Sequence, residues 1–308
     1  MKPIAICAAI FCLALSACTK KKADYQAEIA KVVPEYIEFK EATSIESGAY
    51  RISIEALNGK FYKGYNELRI KVSDKQSKQE VKVSAVTFLP IITKADGTKA
   101  SGPHRYQPNY LASEHYFSGY AVFTDESGAN GEWDLYLSFD VASTSYRVQK
   151  RVQVEKQANK NLNMVSFKAK DGADYIIALV SPQKPKVAEN ALVAGIYRYN
   201  PPLDAPSGEF PDPGQFSYAE VGGYTLQLDP RMPEPSMGNH SSLNNKDLVQ
   251  KDDGFYHGVV NYTMTGNWTL NLIMLNQQGQ ILKGTVVPTD FTPGVEGVKS
   301  ELYIDILF

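Results

Sequence analysis

Trp133, Leu135, Leu137 and Phe139 alternate with Asp134, Tyr136 and Ser138, and the same two-residue rhythm runs through 50–55 and 68–72. Successive side chains of a strand point to opposite faces, so this alternation marks strands with one buried face. No stretch carries a helical stripe of comparable length, and turn residues separate the alternating segments. The expected class is all-β, with antiparallel sheets packed as sandwiches.

The rhythm is duplicated. Phe117-Ser118-Gly119-Tyr120-Ala121-Val122-Phe123 matches Tyr256-His257-Gly258-Val259-Val260-Asn261-Tyr262. Behind these come Gly131-Glu132-Trp133 and Gly266-Asn267-Trp268, continued inward by Leu135 and Leu137 in the first copy and Leu270 and Leu272 in the second. Upstream, 49–56 parallels 174–180, and Tyr65-Asn66-Glu67-Leu68 parallels Glu189-Asn190-Ala191-Leu192. At ~100–200 residues per domain, the pattern predicts two tandem sandwiches, 45–155 and 165–308, joined by the polar segment 156–163. In the second copy Tyr256, Gly258, Val260, Tyr262 and Met264 fall on one face, which turns His257 to the other.

The chain opens MKPIAICAAIFCLALSAC. Its apolar run is shorter than the roughly 20 residues that a spanning helix needs and fits the core of a secretory signal over residues 1–17. Leu15-Ser16-Ala17-Cys18 resembles the bacterial lipobox, which implies a lipidated Cys18 as the mature N-terminus; simple cleavage after Ala17 is the alternative. No cysteine follows Cys18, so neither a disulfide nor a second thiol competes for that role. Two or three acyl chains give stable anchoring, at roughly 0.8 kcal/mol per buried methylene. Thr19 after the cysteine, in place of Asp, resembles the outer-membrane sorting pattern, so the expected location is the cell envelope, on the outer membrane facing the periplasm. Residues 18–44 read as a tether with one helical patch, 25–39, interrupted by Pro34.

Lys and Arg total 32 against 34 Asp and Glu, a net charge of -2, which excludes a strong electrostatic case for nucleic acid. Phosphate-cradling, dinucleotide, zinc-protease and serine-hydrolase signatures are absent, so a non-catalytic role is expected.

One stretch carries soft-ligand chemistry. The Pro-rich loop 229–242 presents Met232, Met237 and His240, and His257 opens the next strand. Thioether and imidazole together suit Cu(I), because soft sulfur prefers a soft cation. The same methionines also suit packing as plugs at the end of a sandwich, with His240 bonded to its turn. In the first copy Ile92 takes the place of Met232, and no methionine lies between Pro90 and His104.

The second copy, through 229–233, 237–241, 254–258 and Met264-Thr265-Gly266-Asn267-Trp268, resembles YtkA-like domains, which are related to FixH proteins. The resemblance is looser in the first copy. It implies an immunoglobulin-like fold outside the cytoplasm and an association with copper handling, with Met232, Met237 and His240 on the family's Met/His loop. Three readings follow. The first is a lipid-anchored binding protein that holds or delivers copper. The second is a carbohydrate- or protein-binding module using the aromatic insertion 197–218, which could equally be a loop sealing a sheet edge. The third is a purely structural envelope lipoprotein with no small ligand. The partners expected are the membrane, through the lipid on Cys18, and an envelope protein.

Overall fold

A computed structural model gives the fold and describes residues 38–157, 160–202 and 210–307. Cys18, the signal and most of the predicted tether lie outside these residues. Among the described residues the regular elements are strands and two single-turn 3-10 segments, joined by turns and irregular loops.

The N-terminal half contains β1 (Phe39–Ser47), β2 (Tyr50–Leu57), β3 (Phe61–Tyr62), β4 (Gly64–Asp74), β5 (Val86–Thr93) and β6 (Lys99–Ala100). It continues with β7 (Asn109–Leu111), β8 (Tyr116–Phe123), β9 (Glu132–Val141), β10 (Thr144–Val152) and β11 (Val154–Glu155). One sheet has the order β1-β2-β4-β8-β7 and its partner β10-β9-β5-β6; a short parallel pair, β11 on β3, sits beside them. The alternation decides what goes inside. Ile52, Ile54, Leu68, Ile70, Phe123, Trp133, Leu135 and Leu137 are buried in one core between the sheets. At about 1.5–3 kcal/mol per large apolar side chain removed from water, this face dominates the stability of the half.

The C-terminal half holds β12 (Met164–Lys168), β13 (Asp174–Ser181), β14 (Glu189–Tyr199), β15 (Tyr218–Glu220), β16 (Thr225–Met232) and β17 (His240–Ser241). After these come β18 (Lys246–Gln250), β19 (Tyr256–Asn261), β20 (Asn267–Leu275), β21 (Ile281–Lys283) and β22 (Tyr303–Leu307). Its main order is β12-β13-β14-β19-β18-β16-β20-β21. Here β18 pairs with both β19 and β16, so the two layers that stay separate in the N-terminal half are sewn into one folded sheet. Tyr256, Val260 and Tyr262 turn inward with Trp268, Leu270 and Leu272, and Met264 packs against this core.

Matching hydrogen bonds mark the repeat. Asn66 accepts from the Tyr62 amide and donates to the carbonyls of Tyr62 and Gly64. Asn190 does the same with Lys186 and Ala188. Each indole donates to a carbonyl just upstream, Trp133 to Asp125 at 2.9 Å and Trp268 to Met264 at 3.0 Å. The glycine before each hairpin has positive φ, 138° at Gly131 and 136° at Gly266, a conformation costly for any residue with a Cβ.

The first sheet begins at Phe39, inside the segment expected to be tether. The reason is that β1 is an edge strand with a bulge between Glu41 and Thr43, and only Ile45 is fully buried. An edge strand that buries so little carries no two-residue signature.

Candidate ligand-binding cleft

The outer faces of the two halves pack on each other. Tyr65, Tyr120 and Val122 from β4 and β8 bury against Ile176, Ala178 and Tyr197 from β13 and β14, forming a third core. The rings of Tyr65 and Tyr120 stack at 5.6 Å, and Tyr197 lies 5.7 Å from Tyr120. Gly195 makes room for this arrangement, since a Cβ there would collide with the Tyr197 ring and hydroxyl. Polar bonds frame the apolar contact. Tyr120 donates to Glu220 at 2.9 Å, Arg105 approaches the same carboxylate at 3.6 Å, and Tyr218 donates to the Ser101 carbonyl at 3.1 Å. Burial raises the hydroxyl pKa of Tyr65, Tyr120 and Tyr197, with nearby Glu220 adding to the rise, and it pushes Tyr218 up to about 12. All four tyrosines are therefore neutral at physiological pH, as an apolar interface requires.

Beside this interface opens a cleft of about 480 Å³ with one wall from each half, within the roughly 300–1,000 Å³ usual for small-ligand sites. The N-terminal wall carries Lys94 and Lys99, at the two ends of the turn joining β5 to β6, together with Thr124 and Asp125. That turn is closed by the Lys94 amide donating to the Thr98 carbonyl and by Asp96 accepting from the Thr98 amide, each at 2.9 Å. The facing wall carries Phe167 and Lys168 of β12, Tyr199 at the end of β14, Phe216 and Tyr218.

The insertion after β14 is what brings these aromatics there. β15 pairs with residues 197–199, the part of β14 that β19 leaves uncovered, and Tyr199 sits opposite Tyr218 with ring centroids 5.3 Å apart. Asp212 caps the preceding 3-10 turn through the Gly214 amide at 2.8 Å. Phe210 crosses to the N-terminal half, edge-on to Tyr136 at 5.4 Å and beneath the Arg147 guanidinium. The described parts of the insertion therefore cover this end of β14 and supply Tyr199, Phe216 and Tyr218 to the cleft.

The Met/His residues lie elsewhere. Met232 is 1 % exposed and belongs to the C-terminal core, with Met237 packed against it. His240 sits directly opposite Met232 on the β16–β17 ladder, 6.1 Å from the Trp268 ring, and its Nε2 bonds to the Thr263 hydroxyl at 2.8 Å. Met232 and His240 are thus cross-strand neighbours, and Met237 packs on the same C-terminal core. His257 does not join them. It is opposite Val249, which is opposite Thr225, so its row is separated from Met232 by 225–232, roughly 23 Å of strand at ~3.3 Å per residue. Its Nε2 is engaged by Asp253 at 2.9 Å. Among the described residues no group of three or more His, Cys, Asp or Glu side chains is placed to hold a metal ion.

Sequence reasoning missed Lys94, Lys99 and Phe167, which carry no motif. Only the insertion's unusual density of Tyr, Phe and Pro pointed toward the cleft.

No protein-family model matches the chain, and neither does any curated protein. Among solved structures, a conserved domain protein from Bacillus anthracis aligns over 88% of this chain and 90% of its own, at 10% identity and TM-score 0.27. Another, pT26-6p, aligns over 85% of this chain and 67% of its own, at 10% identity and TM-score 0.24. Overlaps this weak do not establish a shared fold, and neither names a YtkA- or FixH-related protein.

Proposed function

We propose that this chain is a non-catalytic binding protein of the cell envelope, anchored through lipid on Cys18, that takes its ligand in the cleft between its two sandwich-like halves. The observation that carries the reading is the cleft itself. Two walls from distant parts of the chain face each other across about 480 Å³, beside a buried tyrosine core that holds them in place. A preformed site costs less ordering on binding than a mobile one. Half-buried aromatic surface with a few polar and cationic groups is the composition of a ligand site.

Copper binding at the Met/His loop is the second reading, supported by the placement of Met232 opposite His240. It requires the Met232 sulfur to leave the core and the His240 Nε2 to leave Thr263, so it ranks below the cleft.

The test is a broad glycan and peptide array probed with the full chain purified in detergent, alongside the Tyr199→Ala, Phe216→Ala double variant. Binding by the parent that the double variant loses supports the cleft. Retained binding in the variant overturns it. Radiolabelled palmitate incorporation that disappears in Cys18→Ser tests the anchor.

A further inference from the structure

We infer that the cleft selects an anionic saccharide, one whose sugar rings carry carboxylate or sulfate groups. This rests on the cleft reading above and specifies its ligand.

The charge of the lining points this way. Three lysines and two aspartates line the cleft. Lys168 is neutralised by Asp174 at 3.0 Å and also donates to the Gly172 carbonyl. Asp125 accepts from the Thr124 hydroxyl at 3.3 Å. Lys94 and Lys99 are exposed; neither forms a direct ion pair among the described residues, and Lys94 interacts at longer range with Asp96 of its own turn. The turn between them holds their backbone positions, so two ammonium groups border one wall.

The opposite wall carries the aromatics, beside the paired Lys168 and Asp174. Tyr199, Phe216 and Tyr218 are each half-buried and line the cleft. Aromatic rings offer a flat face with partial negative charge, which suits the C–H-rich face of a pyranose. Ser166 and the Tyr199 hydroxyl add hydrogen-bonding groups at the same wall. A ligand with ring faces on one side and negative charges on the other fills both demands. Nucleic acid would satisfy them too, but two lysines on a chain of net charge -2 supply little phosphate affinity.

Calorimetry on the full chain in detergent would compare tetragalacturonate, a chondroitin sulfate tetrasaccharide and carboxyl-reduced, uncharged tetragalacturonate. The expected result is binding of at least one anionic probe about tenfold more tightly than the neutral one. Binding of tetragalacturonate would show that carboxylates suffice without sulfate. The Lys94→Gln, Lys99→Gln double variant should lose that preference, so that its affinities for charged and neutral probes converge. Tyr199→Ala with Phe216→Ala should weaken all probes together. Equal affinity for charged and neutral saccharides would overturn the inference and leave the cleft reading standing. An anionic preference that survives the lysine variant would overturn it as well. Binding of a tetraglutamate peptide, with no saccharide bound, would overturn it in favour of an acidic peptide in the same cleft. If none of these probes bound, the inference would fall, and the array with the aromatic variant would decide the cleft reading on its own.

Discussion

Ile92 and Met232 occupy the same place in the two halves. Pro90 is opposite Leu135 and Ile92 opposite Trp133 on the β5–β9 ladder; Pro230 is likewise opposite Leu270 on β16–β20, which puts Met232 beside Trp268. Both side chains are buried, at 0% and 1% exposure. The short strand that follows repeats as well, with Ala100 opposite Ile92 and His240 opposite Met232. The position therefore demands a core side chain, and an isoleucine that cannot bind metal fills it equally well in the first half.

Met232→Leu should consequently be tolerated, at a cost under about 1.5 kcal/mol, because the volume is conserved. Met232→Ala should cost about 2–5 kcal/mol by opening a cavity against Trp268. Urea denaturation measures both. Cu(I) competition titration with the Met232→Leu, Met237→Leu, His240→Ala triple variant should give the parent's affinity. Tight one-to-one binding lost in that variant would restore the copper reading.

The two asparagine clamps should respond alike. Asn66→Ala strands the Tyr62 amide and the Tyr62 and Gly64 carbonyls in a part-buried turn, and Asn190→Ala strands their counterparts at Lys186 and Ala188. Leaving a buried polar group unmet costs about 1–3 kcal/mol, so each variant should lose at least that much. Chemical denaturation of the single variants would show it, and a loss in only one would break the equivalence of the two turns.

Alkaline pH should loosen the contact between the halves. Burial raises Tyr65, Tyr120 and Tyr197 above the ordinary value of 10.0, so the unfolded chain surrenders these protons first. Their stabilisation is complete below pH 10.0 and drains away as pH rises through the folded values. For Tyr218 the window runs from 10.0 to about 12. Stability measured from pH 9 to 11 should fall less steeply in a Tyr65→Phe, Tyr197→Phe variant than in the parent. Equal slopes would show that these hydroxyls titrate freely.

Acid should act through His104. Burial lowers its pKa below 6.5, with the Gly102 carbonyl at 2.9 Å opposing the shift. The unfolded chain therefore takes up a proton that the folded chain refuses. Stability from this residue is full above pH 6.5 and declines as pH falls toward the lowered value. The slope is up to about 1.4 kcal/mol per pH unit for one proton. In His104→Gln the profile between pH 7 and 5 should flatten, and an unchanged profile would refute the assignment.

Much of the fold was legible from local pattern. Alternation is a property of neighbouring residues, so Trp133 through Phe139 announced their strand, and the shared Gly-x-Trp turns announced the repeat. β1 was missed because an edge strand buries one side chain and leaves no rhythm. The chemistry of the Met/His loop was legible as residue types, but its geometry was not. Whether Met232 faces core or solvent depends on ladder register, and a slip of one residue reverses it.

The sequence by itself determined the all-β class, the repeated hairpin and the inward face of each long strand, because all three follow from side-chain periodicity along a single strand. Tertiary structure alone decided that the outer faces of β4 and β8 pack on those of β13 and β14. It also placed Lys94 and Lys99 across a cleft from Tyr199 and Phe216. Residues so far apart in the chain share no local pattern; they meet because the apolar outer faces of the two halves are removed from water by packing on each other.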